Sequence, residues 1–171
     1  KTKSIILNSP ANPTGMVWTK SELVKLESIV LENNLMVISD EIYEHLIYRG
    51  EHISIGSLSD QIFKRTVTVN GVSKSHSMTG WRIGWIGADL SIAQAVSKIQ
   101  GQMTSNPSSI SQKAAQAALS MDQEWFDFIK SEFKKRRDLM VSMLNNCGIN
   151  FIEPEGAFYV FIDISKTKMN S

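Results

Sequence analysis

The run Leu35-Met36-Val37-Ile38 is apolar with no polar alternation, and nothing else in the chain constrains its fold so tightly. A strand with one wet face alternates, so an unbroken apolar run of this length predicts a strand covered on both faces, as in a parallel sheet. The preceding residues supply the rest of such a unit. Ile5-Ile6-Leu7 reads as a buried strand that ends at the turn-rich segment Asn8-Ser9-Pro10-Ala11-Asn12-Pro13-Thr14-Gly15. Thr19 and Glu22 then have capping-box spacing, and Leu23, Leu26 and Val30 recur on one helical face until Asn33-Asn34 stops the helix. The pattern is βαβ. Ligands in open α/β sheets bind beyond the carboxyl ends of the strands, and Asp40 and Tyr43 fall just past that end.

Further along, Thr66-Val67-Thr68-Val69-Asn70 reads as a third strand, which carries Gly71-Val72-Ser73-Lys74 to the same edge. A fourth runs from Trp81 to Gly87. Residues 91–102 and 108–120 are helical by spacing, with a break at Asn106-Pro107. A longer helix is predicted over 123–146, with Phe126, Ile129, Phe133, Met140 and Leu144 as its apolar stripe and Gly148 as its terminator. Phe151-Ile152 and the run Phe158 to Ile162 are expected to pair around Pro154-Glu155-Gly156.

Composition removes several function classes. The chain has 171 residues, 42% hydrophobic and 20% charged, which is enough apolar surface for one globular core. Eighteen Lys and Arg stand against 17 Asp and Glu, so no field of one sign exists to gather nucleic acid or an anionic membrane. No run approaches the roughly 18 apolar residues of a membrane span, and the basic-apolar start Lys1 to Leu7 is too short for a signal peptide. The lone Cys147 cannot form an internal disulfide, so a reducing, cytoplasmic setting is expected, with the thiol packed near a helix end. His45, His52 and His76 lack metal-ligand spacing, and no metal site is expected. Lys134-Lys135-Arg136-Arg137 reads as the wet face of its helix.

The candidate site residues each have an ordinary reading beside a functional one. Lys74 alone would be a solvated charge, yet Gly71, Gly80 and Gly84 leave little side chain around it, as where backbone approaches a ligand. Ser73 offers a hydroxyl to an anion. Arg82 sits inside what reads as a buried strand, where a guanidinium needs an anionic partner, either a phosphate or a structural carboxylate. Asp40 either caps a turn or holds a basic nitrogen protonated. Tyr43 is a packed aromatic or a hydrogen-bond donor, and Asn12 taken alone is a turn residue before Pro13. An amine able to form an imine, a guanidinium, a carboxylate and a phenol are together what pyridoxal 5′-phosphate requires.

With these motifs assembled, the chain resembles the class I aminotransferases, pyridoxal-phosphate enzymes of fold type I, and most closely their aspartate-type branch. The resemblance rests on Asn12-Pro13-Thr14-Gly15, Ser39-Asp40-Glu41-Ile42-Tyr43, and Ser73-Lys74 followed by Gly80-Trp81-Arg82-Ile83-Gly84. It implies a mostly parallel α/β sheet with helices on both faces. Residues 1–121 would form part of the cofactor-binding large domain, and 122–171 a connecting helix and the start of the smaller domain. Lys74 would be the catalytic residue, bound to the cofactor as a Schiff base and acting as general base. Asp40 would pair with the pyridine nitrogen, Asn12 and Tyr43 would bond the ring hydroxyl, and Ser73 and Arg82 would hold the phosphate. The implied reaction is ping-pong transfer of an amino group between an L-amino acid, aspartate first, and a 2-oxo acid, by a homodimer.

The chain departs from the family in what it leaves out. The glycine-containing phosphate loop would precede Lys1, and the arginine that clamps the substrate carboxylate would follow Ser171, so an internal fragment, inactive alone, is expected. Gly71 also replaces a hydroxyl residue often found three positions before the lysine. A lyase or synthase of the same fold could use the same residues. A regulator that senses the cofactor is a non-enzymatic alternative, favoured by a basic helical segment far upstream.

Overall fold

A computed structural model describes residues 1–167. Its main sheet has four strands in the order β1 (Ser4–Asn8), β2 (Met36–Asp40), β3 (Thr66–Gly71) and β4 (Gly84–Gly87). The first three run parallel and β4 is antiparallel to β3. Helix α1 (Lys20–Glu32) makes the crossover between β1 and β2. Its capping box forms as the sequence predicts: Thr19 N–H donates to the Glu22 carboxylate at 2.8 Å, and Glu22 N–H donates to the Thr19 hydroxyl at 3.4 Å. The helix stops at Asn33, and Asn34 takes a left-handed φ of 52°. Leu23 and Val30 of α1 bury against Leu7, Leu35 and Val37, and Ile55 and Ile62 complete this core. Ile62 belongs to the short helix α2 (Asp60–Phe63).

The expectation that β2 is covered on both faces holds for one face. Val37 packs with Leu23 and Val30 of α1 and Ile62 of α2, and Ser39 is buried, but Ile38 is 38% exposed and its neighbour Ile6 on β1 is 75% exposed. The apolar run does mark a strand suited to double cover. Among the described residues, helices pack closely only on the side of Leu7 and Val37.

Beyond β3 comes the one-turn helix α3 (Val72–Ser75), and after β4 the helices α4 (Leu90–Met103), α5 (Ser109–Ala118) and α6 (Gln123–Asn146). The break predicted at Asn106-Pro107 separates α4 from α5. Ala115 and Ala118 of α5 pack on Val72 and Ile83, which anchors the segment bearing α3. Helix α6 ends where expected, with Gly148 at φ 65° and its N–H donating to the Asn145 carbonyl at 3.0 Å. Ile129 and Leu144 are buried, but Met140 is 47% exposed and does not join the stripe. Cys147 is the exposed C-cap of α6, not a packed thiol. Nor is Arg137 part of a wet face: its guanidinium lies 5.2 Å from the Tyr48 ring centroid and reaches Glu153 at 3.5 Å. Its long stem covers apolar surface while its head pairs.

Two strand boundaries also differ from the sequence reading. Strand β4 begins at Gly84, because residues 79–81 form a 3-10 turn that puts Arg82 outside the sheet. In the second, two-stranded sheet, β5 (Phe151–Ile152) pairs antiparallel with β6 (Phe161–Ile162), so Phe158, Tyr159 and Val160 lie outside the pairing. Tyr159 is instead drawn to Tyr43.

Candidate active site

Three strand ends supply the predicted site residues. In the sheet register Asn8 faces Asp40, and Asp40 faces Val69. The Asn8 side chain joins two of these ends: its amide donates to the Asp40 carbonyl at 3.1 Å, and its Oδ1 accepts from Asn12 N–H at 2.6 Å. Asn12 is thereby tied to the strand that carries Asp40. The Asp40 carboxylate accepts from Ile42 N–H at 3.3 Å, which turns the chain toward Tyr43. Tyr43 is buried, and its hydroxyl lies 2.5 Å from that of Tyr159. Burial foremost, then the Tyr159 hydroxyl and the Asp40 charge, push the Tyr43 phenol far above its ordinary value and keep it protonated.

The third arm is β3, from whose end α3 carries Ser73 and Lys74. The Lys74 ammonium stands 5.7 Å from the centroid of the Phe158 ring. The Tyr43 ring meets the same Phe158 edge to face at 5.2 Å. Phe158 thus links the Asp40–Tyr43 arm to the Lys74 arm, while Asn12 joins through Asn8. Ser73 and Arg82 belong to the Lys74 arm. Arg82 overturns its sequence expectation: it is exposed, takes a left-handed φ of 54°, and donates to the Thr79 carbonyl at 2.7 Å. It needs no anion to compensate burial, although a guanidinium has five N–H donors and this bond uses one.

The glycines around Lys74 also differ from expectation. At Gly71 a Cβ would lie 2.8 Å from the Ile83 carbonyl and 3.1 Å from Gly84 Cα, so the demand comes from the close crossing of β3 and β4. Gly80 lies in open space.

Phe158 and Tyr159 are site residues that the sequence reading places only in a paired strand at the start of a second domain. Their segment threads between the other loops. Glu155 and Gly156 N–H both donate to the Gly15 carbonyl, at 2.9 and 2.8 Å, and Ala157 N–H donates to Leu46 at 2.8 Å. Gly15 has a φ of 72°, and a Cβ there would sit 2.5 Å from Pro154 Cβ, so only glycine suits the contact. The available signal was the density of Gly, Pro and aromatic residues in Pro154 to Tyr159, but long-range contacts leave no periodicity to read.

A further cluster was missed because residues 41–54 are turns and irregular chain with no period to read. Glu41 is buried, and its carboxylate accepts from the hydroxyls of Ser39 and Ser54, each at 2.8 Å, and faces His52 Nε2 at 2.8 Å. Burial raises its carboxyl, but the bonds from His52, Ser54 and Ser39 together outweigh this and hold it below the usual range. Glu41, Glu44 and His52 bring ligand atoms within 4.8 Å of one another. Glu41 directs its oxygens to three hydrogen-bond partners, so the cluster is accounted for as a hydrogen-bond network.

Phe158 brings the Lys74 amine and the Tyr43 phenol to one place, whereas the Ser73 hydroxyl, the Asn12 amide and the exposed Arg82 guanidinium make no contact with them. An amine and a phenol beside a strand-end carboxylate fit an aldehyde cofactor with a basic ring nitrogen and a phenolic oxygen. The family profile described as Aminotransferase class I and II matches residues 1–171. The chain belongs to the class I and II aminotransferases. Within that family it is 44% identical over 168 residues to an aspartate aminotransferase of Bacillus sp. (strain YM-2), covering 97% of this chain and 43% of the relative. It is likewise 44% identical to an aspartate/prephenate aminotransferase of Cereibacter sphaeroides, over 96% of this chain and 42% of that protein. The aromatic aminotransferase of Pyrococcus horikoshii superposes with a TM-score of 0.93 at 42% identity, covering 98% of this chain and 46% of that structure. The chain therefore spans less than half the length of these aminotransferases. Among the described residues no helix is long and apolar enough to cross a membrane.

Proposed function

We propose that the complete protein is a cytoplasmic, homodimeric aminotransferase that uses pyridoxal 5′-phosphate to move an amino group between an L-amino acid and a 2-oxo acid. Residues 1–121 would be part of its cofactor-binding domain, and 122–171 the connecting helix and the start of a smaller domain. One observation carries the reading: Phe158 joins the Lys74 amine to the Tyr43–Asp40 arm at the carboxyl edge of the sheet. Aspartate is the preferred donor, because relatives named for aspartate match nearly the whole chain.

When bound, the cofactor supplies an electron sink for the bond broken at the substrate's α-carbon. The protein's own groups do the rest. Lys74 Nζ is the nucleophile that holds the cofactor and, once released, the base that takes and returns the α-proton. Asp40 keeps the ring nitrogen protonated through its opposite charge. Tyr43, held neutral, donates a hydrogen bond to the ring oxygen beside Asn12. Ser73 and Arg82 would anchor the phosphate, Arg82 by the N–H groups that its bond to Thr79 leaves over.

The complete protein purified with cofactor is expected to show a visible absorbance band, to be labelled on Lys74 by borohydride reduction, and to convert aspartate only when a 2-oxo acid acceptor is present. Lys74→Ala is expected to abolish band and label and to slow turnover at least 10³-fold, since it removes both nucleophile and base. A borohydride-stable adduct that persists in this variant would reassign the lysine.

A further inference from the structure

The two arms of the site are also connected beneath the sheet edge, through polar residues with no assigned role. Asp40 ends β2, and its neighbours Ser39 and Glu41 are both buried and bonded to one another, Ser39 hydroxyl to Glu41 carboxylate at 2.8 Å. Asp40 is the last residue of β2, so fixing Ser39 before it and Glu41 just beyond it restrains where Asp40 can point. From Glu41 the connections continue. His52 Nε2 contacts Glu41 at 2.8 Å and lies 3.9 Å from Glu44. The other Glu44 oxygen accepts from the Asn70 amide at 2.5 Å, and Asn70 Oδ1 accepts from Gly71 N–H at 2.8 Å. Gly71 is the residue from which α3 departs with Ser73 and Lys74.

We propose that Glu41, His52, Glu44 and Asn70 form a positioning network that sets the Asp40 carboxylate relative to Lys74. The inference rests on the functional reading above, in which Asp40 faces the ring nitrogen and Lys74 carries the cofactor. None of the four touches the reacting atoms. Their arrangement is costly as mere filling, because a buried carboxylate is generally no more stabilising than apolar residues of the same volume. Glu41, whose oxygens meet Ser39, Ser54 and His52, is instead held in one geometry, although the buried Nδ1 of His52 has no partner. Here the network spans from the residue after Asp40 to the residue three before Lys74, adding side-chain ties to the backbone bond by which Glu41 N–H meets the Val69 carbonyl at 3.0 Å. Among the described residues the His52 side chain reaches both carboxylates, while Glu44 N–H donates to the Glu41 carbonyl at 2.9 Å, so His52 is the side chain to change.

The test uses the complete holoenzyme and follows the visible band of the lysine-bound cofactor through a pH titration. Two positive charges on one conjugated ring repel, so Asp40, by keeping the ring nitrogen charged, lowers the pH at which the lysine-linked nitrogen loses its proton. Displacing Asp40 removes that effect. His52→Ala is therefore expected to raise the titration midpoint by about half a unit to one unit, well within the range that neighbouring charges produce. His52→Gln, which keeps an N–H donor toward Glu41, is expected to restore it. A His52→Ala protein with an unshifted midpoint and only a lower melting temperature would overturn the proposal, leaving a fold staple. Should His52→Ala not accumulate folded, Asn70→Ala breaks the same chain at its other end and is judged by the same midpoint: a rise supports the proposal and no shift overturns it. Failure of the underlying reading looks different, because the unmodified protein would then show no lysine-linked band at all, and both conclusions would fall together.

Discussion

Tyr48 and Tyr43 are kept neutral by the positions they occupy. Burial pushes the Tyr48 phenol up from about 10 to about 12, and its hydroxyl donates to the Ala157 carbonyl. Tyr43 is raised in the same direction, by burial before its bond with Tyr159. In both cases the folded chain holds the proton more tightly than the unfolded chain. Their contribution to stability is thus complete below pH 10 and is lost as pH climbs through the folded values. A melting temperature roughly constant between pH 8 and 9.5 should fall steeply from pH 10 toward 12. Tyr48→Phe lowers the neutral-pH melting temperature, because the Ala157 carbonyl loses its donor, and it also makes the alkaline fall shallower. Melting curves of the complete protein across that range check both effects, and an unchanged alkaline slope would remove Tyr48 from the account.

Among the elements, α1 shows how far a sequence can be read. Its cap, its apolar stripe and its stop are all local, written within 16 residues by Thr19, Glu22, Leu23, Val30 and Asn34, and the structure realises each. The same holds for the end of α6 at Gly148 and for the order of the strands and the longer helices, though not for the short helices α2 and α3. The motifs around Asp40 and Lys74 were equally legible, since each lies within a few residues of a strand end. Arg82 was misplaced because Trp81 to Gly87 is apolar enough to read as one strand, while the 3-10 turn that excludes its first residues has no composition of its own. Tyr159 was missed because its partner Tyr43 lies 116 residues away, and the Glu41–His52 contact because it closes an irregular segment that has no period. For α1 the packing argument makes a quantitative contrast. Leu23, only 1% exposed within the first core, should cost about 2–5 kcal/mol on truncation to Ala. Its neighbour Val24, 45% exposed, should cost within about 0.5 kcal/mol. Denaturant unfolding of the two variants in the complete protein measures the difference, and equal losses would mean that α1 does not pack as described.

For the molecule as a whole, the open face of the main sheet decides how the 171 residues behave in isolation. Ile6 and Ile38 lie side by side on adjacent strands, in register, and both are exposed. β1 lies at one edge of the sheet, so its outer backbone groups have no strand beside them among the described residues. An apolar face next to a free parallel edge favours association, by burial of the face or by strand addition. The chain spans about 43% of the length of the aspartate aminotransferase from Bacillus sp.. A 19.1 kDa polypeptide of this sequence, verified by intact mass, is expected to bind a hydrophobic dye, to sediment as concentration-dependent assemblies, and to transfer no amino groups. Ile6→Lys should shift that polypeptide toward monomer by placing a charge on the exposed position, yet destabilise the complete protein if the same face is buried there. Opposite responses to one substitution separate a face awaiting cover from one that water tolerates. A monomeric, dye-silent and active 171-residue chain would show instead that the site assembles without any further cover.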